Sequence, residues 1–128
     1  MDINVKGLIE EAEKARKQAY APYSNFPVGC AVLGASGTVY RGCNVENASL
    51  SLTLCAERAA IAGALCAGER EILALAIISH SPEPISPCGA CRQFILEFGE
   101  DITVIMADRD KRYEVKKIKE LLPLPFKL

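Results

Sequence analysis

The chain has 128 residues, half of them hydrophobic, and a net charge of -1 at pH 7. This length and apolar content suffice for one buried core, so we expect a single compact domain over residues 1–128. The lysines and arginines are dispersed and no apolar run approaches the roughly 18 residues of a membrane span, which argues against nucleic acid and membrane partners.

The first predicted element is an amphipathic helix over about residues 3–19, where apolar side chains recur at helical spacing between charged ones. Its acidic residues interrupt the apolar stretch that a secretory signal peptide needs. We therefore expect a cytoplasmic protein whose six cysteines remain reduced. Metal binding, catalysis and packing are then the roles open to these cysteines.

A β-hairpin and a second helix are predicted next. Residues 28–34 and 38–45 are rich in apolar residues and flank a turn at residues 36–37, as the strands of a hairpin do. An alanine-rich helix follows over about residues 55–67, and Gly68 is suited to end it.

The C-terminal half alternates strands and helices. Residues 72–79 are almost uniformly apolar, as in a central strand covered by helices on both faces. The remaining predicted elements are a short helix over residues 91–98, a strand over 102–107, a short strand near 112–115 and a helical turn at 117–122. This order predicts an α/β fold, a three-layer α/β/α sandwich with a mixed sheet of about five strands.

Both central helices begin with cysteine. In the segment ISPCGACRQ, we expect Ser86 as N-cap and Pro87 as the first helical residue, which places Cys88 and Cys91 on one face of the opening turns. Thiolates are stabilised at a helix N-terminus. The CxxC pair alone is equally compatible with a redox pair, half of a structural zinc site or another metal site.

Cys55 favours a metal, because two helices that flank one strand can bring their N-termini together. Three thiolates with one open position are typical of catalytic zinc, whereas structural zinc fills its fourth position with protein. Glu57 then lies where it can move protons without being a ligand. The alternative interpretation of Glu57 is an acidic residue that complements the helix dipole.

Three thiolates make a zinc site net negative, so a cation is needed nearby. Arg58 and Arg92 are both adjacent to the cysteines in sequence, and we favour Arg58 as the residue that compensates this charge. His80 is the only histidine and is predicted as an exposed loop residue without a metal role. Three cysteines are predicted as small apolar packing residues: Cys30, Cys43 and Cys66.

Five motifs spread along the chain carry a family resemblance: SNFPVG at 24–29, CNVENAS at 43–49, CAERAA at 55–60, SPCGACRQ at 86–93 and LLPLPF at 121–126. Together they resemble the small homotetrameric zinc-dependent cytidine deaminases. The resemblance implies one zinc ion per subunit held by Cys55, Cys88 and Cys91, with Glu57 transferring protons. It also implies hydrolytic deamination of cytidine and deoxycytidine to uridine and deoxyuridine, with release of ammonia, in pyrimidine salvage.

The same resemblance implies five substrate-binding residues. The Ala56 backbone N–H is expected to bind the base carbonyl, and Asn44 and Glu46 the ribose hydroxyls. Phe26 is expected to pack on the pyrimidine, and Phe126 to reach the pocket of a neighbouring subunit. The implied assembly is a homotetramer with active sites at subunit interfaces.

One departure from the family concerns the stretch after NVENA, where an aromatic residue is usual and this chain has Leu50, Ser51 and Leu52. By the resemblance, this difference is expected to change the wall of the pocket around the sugar. Deamination of a modified cytosine nucleoside and a non-catalytic zinc module remain as alternatives. Editing of a polynucleotide is disfavoured, because the chain is near neutral and has only four tyrosines and four phenylalanines.

Overall fold

Five strands form one mixed sheet in a computed structural model that describes residues 2–128. The strands are β1 (Val28–Gly34), β2 (Val39–Cys43), β3 (Ile72–Ser79), β4 (Thr103–Ala107) and β5 (Tyr113–Lys117). The helices are α1 (Val5–Arg16), α2 (Ala56–Cys66), α3 (Gly89–Leu96) and α4 (Ile118–Leu121), with a 3-10 turn at Leu50–Leu52. Within residues 2–128, no helix is long and apolar enough to cross a membrane.

The sheet has the order β2-β1-β3-β4-β5, so the predicted central strand is confirmed. β3 is parallel to β4, and the other neighbouring strands are antiparallel. Alternate residues of β3 face two separate cores. Ala74, Ala76 and Ile78 pack with α1, whereas Leu75 and Ile77 pack with α2 and α3. Helices therefore cover both faces, and the predicted mixed α/β sandwich is confirmed.

The first two helices agree with the sequence in type and differ slightly in length. α1 is shorter than predicted, because Asn4 caps it by accepting a hydrogen bond from the Gly7 N–H at 3.0 Å and its last helical residue is Arg16. α2 is preceded by Cys55 as N-cap and is followed at Gly68 by a φ of 104°, a conformation that favours glycine. Gly68 thus ends α2 as predicted.

The predicted start of α3 is wrong by two residues. Cys88, and not Ser86, is the N-cap, and the helix begins at Gly89. The reason is Arg92, whose Nε donates to the Pro87 carbonyl at 2.8 Å and whose Nη2 donates to the Ser86 hydroxyl at 3.2 Å. These bonds hold residues 86–87 outside the helix.

α2 lies directly on β2, and Gly42 permits this contact. A Cβ atom at Gly42 would lie 2.4 Å from the Ala60 nitrogen and 2.6 Å from the Ala56 carbonyl oxygen, too close for any side chain. The close approach fixes the first turn of α2 against the edge of the sheet. That turn carries Cys55 and Glu57 toward the start of α3.

Candidate active site

Three cysteines from two helix N-termini meet on one side of the sheet. Cys55 and Cys88 are the N-caps of α2 and α3, and Cys91 lies in the first turn of α3. Their Sγ atoms all lie within 4.8 Å of one another. Among the residues that the structure describes, this is the one group of three or more cysteine, histidine or acidic side chains close enough to hold a metal ion.

The cysteine cluster fits a zinc ion. In a tetrahedral site with Zn–S distances of roughly 2.3 Å, sulfurs stand roughly 3.8 Å apart, so these side chains need to move little. Within the described part of the chain, neither a histidine nor a carboxylate joins the three sulfurs. Three protein ligands are the number found in catalytic zinc sites, whereas structural sites have four.

The pKa values of the Cys88 and Cys91 thiols are shifted in opposite directions. The backbone N–H of Cys91 lowers the pKa of the Cys88 thiol, as expected for an N-cap position at a helix N-terminus. Burial raises the pKa of the Cys91 thiol, and the nearby Glu57 carboxylate adds to this effect. A bound divalent cation would favour the thiolate form of both cysteines.

Arg58 supplies a positive charge beside the cluster. Its Nη2 donates to the Sγ of Cys55 at 3.5 Å and to the Thr53 carbonyl at 3.0 Å. Of the two candidate arginines, it is therefore Arg58 that contacts a ligand sulfur. Arg92 instead donates to the carbonyls of Pro87 and Leu121, each at 2.8 Å, and ties α3 to α4.

Glu57 is the acidic residue of the site. It is the second residue of α2, and only 5% of it is exposed. Burial raises the pKa of its carboxyl group, which favours the protonated form. A buried carboxyl group beside a candidate metal centre is suited to accept and donate protons.

A cavity of about 310 Å³ lies beside Cys55, Glu57 and Cys88. It is lined by Phe26, Val28, Asn44, Thr53, Cys55, Ala56, Glu57, Ile85, Ser86 and Cys88. Its volume lies near the lower end of the roughly 300–1,000 Å³ of ligand sites, so it suits a small molecule. The sequence analysis did not single out Val28, Thr53 and Ile85 as site residues, because they have no chemical signature, although Val28 lies within the motif SNFPVG.

Asn44 lines the cavity and also holds the chain around Phe26. Its Oδ1 accepts a hydrogen bond from the Val28 N–H at 2.9 Å, and its Nδ2 donates to the Phe26 carbonyl at 2.9 Å. One amide hydrogen and one oxygen lone pair remain for another partner. Ribose binding by Asn44 stays a prediction.

Glu46 lies outside the set of residues that line this cavity and binds the loop before Phe26. Its carboxylate accepts hydrogen bonds from the N–H groups of Tyr23 and Ser24, at 2.9 and 3.1 Å, and from the Ser24 hydroxyl. The Ser24 hydroxyl lowers the pKa of Glu46. Ribose binding by Glu46 stays a prediction.

Phe126 also lies outside the cavity lining. It is 72% exposed, and its backbone is tied to α3 by Gln93, whose Nε2 donates to the Phe126 carbonyl at 3.0 Å while its Oε1 accepts from the Phe126 N–H at 3.1 Å. Leu50 and Leu52 are exposed as well, at 70% and 65%. These side chains are free to meet another molecule.

The other three cysteines and the histidine are not part of the cysteine cluster. Cys30 is buried as predicted and Cys43 half-buried, but Cys66 is exposed, so its assignment as a packing residue is wrong. Cys66 is the last residue of α2. His80 is exposed as predicted, and its ring contacts Phe26.

A larger cavity, of about 540 Å³, lies between α1 and β2. It is lined by Lys14, Ala15, Lys17, Gln18, Arg41, Gly42 and Cys43. Within the described residues, this lining holds no carboxylate and none of the three clustered cysteines. The smaller cavity is therefore the candidate active site.

An α/β fold with a cluster of three thiols, two of them lining a small cavity beside a buried carboxyl group, defines an enzyme of the metal-dependent hydrolytic class. The family model "Cytidine and deoxycytidylate deaminase zinc-binding region" matches residues 3–107. The chain belongs to this family, which confirms the resemblance seen in its motifs.

The chain is similar to known proteins over nearly its whole length. The curated cytidine deaminase of Sporosarcina psychrophila is 46% identical over 125 residues, which are 97% of this chain and 92% of that protein. The cytidine deaminase of Mycobacterium tuberculosis H37Rv is 40% identical over 127 residues, 99% of this chain and 92% of that protein. The crystal structure of cytidine deaminase from Burkholderia pseudomallei superimposes with a TM-score of 0.93 at 45% identity, covering 97% of this chain and 100% of that one.

Proposed function

We propose that this protein is a zinc-dependent cytidine deaminase, which hydrolyses cytidine and deoxycytidine to uridine and deoxyuridine and releases ammonia, as in pyrimidine salvage. The observation that carries the proposal is a cluster of three cysteine thiols, two of which, Cys55 and Cys88, line one cavity together with the buried Glu57. Membership in the deaminase family and relatives named cytidine deaminase support the choice of substrate.

Cys55, Cys88 and Cys91 are the residues that would hold the zinc ion. When bound there, the ion supplies Lewis acidity that activates water for hydrolysis. Arg58 offsets the negative charge of the three thiolates through its bond to Cys55. The guanidinium would thereby lower the electron density at the sulfurs that hold the ion.

Glu57 carries protons through the reaction. Addition of water at C4 of the pyrimidine requires that a proton leave the water and that N3 receive one, and the departing amino group requires another. Glu57 lines the cavity, and burial raises the pKa of its carboxyl group. It can therefore take one proton from water and pass it to N3, and then take the second proton of that water, from the hydroxyl group formed at C4, and pass it to the leaving amine.

Other residues of the cavity hold the nucleoside. Ala56 is the first residue of α2, so its N–H has no partner within the helix and can donate to the base carbonyl O2. Phe26 packs on the pyrimidine ring, and the free hydrogen and lone pair of the Asn44 amide bind the ribose. Beside Asn44, the Glu46 carboxylate accepts hydrogen bonds from the ribose hydroxyls.

The chain acts as one catalytic domain within a cytoplasmic homotetramer, with active sites at subunit interfaces. Exposed apolar side chains beside the cavity motifs and in the C-terminal segment support this assembly. They are Leu50, Leu52, Leu54, Leu124 and Phe126. In the assembly, Phe126 completes the cavity of a neighbouring subunit. Sedimentation or light scattering that gave a monomer at assay concentration would contradict it.

The decisive experiment incubates the purified, zinc-loaded protein with cytidine, deoxycytidine and cytosine while ammonia release is followed. We expect release from both nucleosides, with one zinc ion per chain measured on the same sample. Activity confined to a modified cytosine nucleoside would support the first alternative. Bound zinc without any deamination would support a non-catalytic module.

A further inference from the structure

The ring of His80 packs against the ring of Phe26. The two ring centroids lie 5.4 Å apart, and the ring planes are inclined at 51°. Aromatic pairs attract at roughly 4.5–7 Å in such tilted arrangements. Phe26 lines the cavity. His80 is not among the described residues that line it, so its ring contacts Phe26 from outside the cavity.

The backbone of Phe26 is fixed independently of His80. Its carbonyl accepts from Asn44 at 2.9 Å, and its N–H donates to the Ser24 hydroxyl at 3.0 Å. Hydrogen bonds to the backbone leave the side-chain torsions of Phe26 free. Among residues 2–128, His80 is the one aromatic partner recorded for the Phe26 ring.

The chain around His80 is itself anchored. His80 directly follows β3, and the Ser81 N–H donates to the Ser79 hydroxyl at 3.1 Å. The Ser81 carbonyl accepts from the Arg109 N–H at 2.9 Å, which ties this bend to the end of β4. His80 therefore rests on a fixed bend, although its side chain is exposed.

We propose that His80 is a positioning residue for deamination: its ring holds the Phe26 ring in the orientation that packs on the pyrimidine. The inference rests on the proposed function, since it needs a base in the cavity. His80 acts only through Phe26 and takes no part in proton transfer. A contact that holds substrate and transition state equally changes KM and leaves kcat unchanged.

The test is a double-mutant cycle on the zinc-loaded enzyme with cytidine as substrate. We expect His80→Ala to raise KM about two- to tenfold, the range for loss of one aromatic pair, with little change in kcat. His80→Phe should restore KM, whereas His80→Asn should not. Glu83→Ala, an exposed substitution in the same loop, is the matched control and should leave KM unchanged.

The Phe26→Leu background separates positioning from a merely structural role. There, adding His80→Ala should change KM no further, because the partner ring is absent. An equal rise in KM in both backgrounds, or a lowered melting temperature without a change in KM, would overturn the inference. A wild-type protein that releases no ammonia from cytidine would overturn the proposed function, and this inference with it.

Discussion

The Nη2 atom of Arg58 lies 3.5 Å from the Sγ of Cys55, and the same atom lies 3.0 Å from the carbonyl oxygen of Thr53. The arginine is thus held by the chain just before α2 while it donates to a ligand sulfur. Its bond to Cys55 raises the pKa of Arg58, so the guanidinium stays charged. A fixed positive charge at this place reduces the excess negative charge of a three-thiolate zinc site.

Replacing Arg58 by glutamine should lower kcat/KM for cytidine by roughly tenfold or more, because a hydrogen bond to a charged group contributes about 1.5–3 kcal/mol. Steady-state kinetics with zinc content measured on the same sample would check this, and zinc should be retained. Arg109→Gln removes an exposed arginine outside the site and should leave kcat/KM unchanged. Equal activity of Arg58→Gln and wild type would remove Arg58 from the mechanism.

Glu57→Gln keeps the size of the side chain and removes its ability to transfer protons. We expect kcat to fall by about 100- to 10,000-fold, the contribution of a general acid–base group, with zinc and fold retained. Kinetics, metal analysis and circular dichroism on one preparation would measure all three. Near-normal turnover would rule out the role assigned to Glu57.

Substitution of Cys55, Cys88 or Cys91 by alanine should abolish zinc binding and lower the melting temperature, since ligation stabilises the meeting of α2 and α3. The matched control is Cys66→Ala, which removes an exposed thiol at the end of α2 and should retain one zinc ion per chain. Metal analysis with thermal unfolding provides both readouts. Zinc retained by Cys91→Ala would contradict the ligand set.

The sequence predicts the elements that carry chemistry because their signals are local. The alanine-rich segment of α2, its N-terminal Cys55 and the Gly68 that ends it all lie within a few turns of helix. The start of α3 depends instead on Arg92, which binds residues 86–87 from the next turn and so outweighs the capping preference of serine. A side chain that folds back on the preceding loop leaves no periodic signal in sequence.

Contacts between distant parts of the chain are the features that sequence could not supply. The resemblance predicts Glu46 as a ribose ligand, and only the structure shows that its carboxylate also accepts three hydrogen bonds from Tyr23 and Ser24. Likewise, His80 is predicted only as a loop residue without a metal role, and the structure adds that its ring contacts Phe26. Both contacts depend on how strand ends meet across the sheet, which only the tertiary structure defines.

Glu69 forms a buried carboxylate contact that predicts how stability depends on pH. Only 7% of Glu69 is exposed, and its carboxylate accepts from the Ser36 N–H at 3.3 Å, from the Tyr40 hydroxyl at 2.8 Å and from the Ser36 hydroxyl. These donors, the Ser36 hydroxyl first, lower the pKa of Glu69. The contacts tie the start of β3 to the β1–β2 turn.

Because the pKa of Glu69 is lower in the folded than in the unfolded chain, its contribution to stability is present above the unfolded value, about 4.3, and is lost as pH falls through the folded value. Glu69→Gln should therefore lower the free energy of unfolding at pH 7, and this difference from wild type should shrink on acidification below about pH 4. Denaturant unfolding of both proteins across this range measures the difference. Glu71→Gln changes an exposed neighbour and should have the same free energy of unfolding as wild type throughout this range. If the difference between Glu69→Gln and wild type stayed constant with pH, the ionised carboxylate of Glu69 would not be the stabilising group.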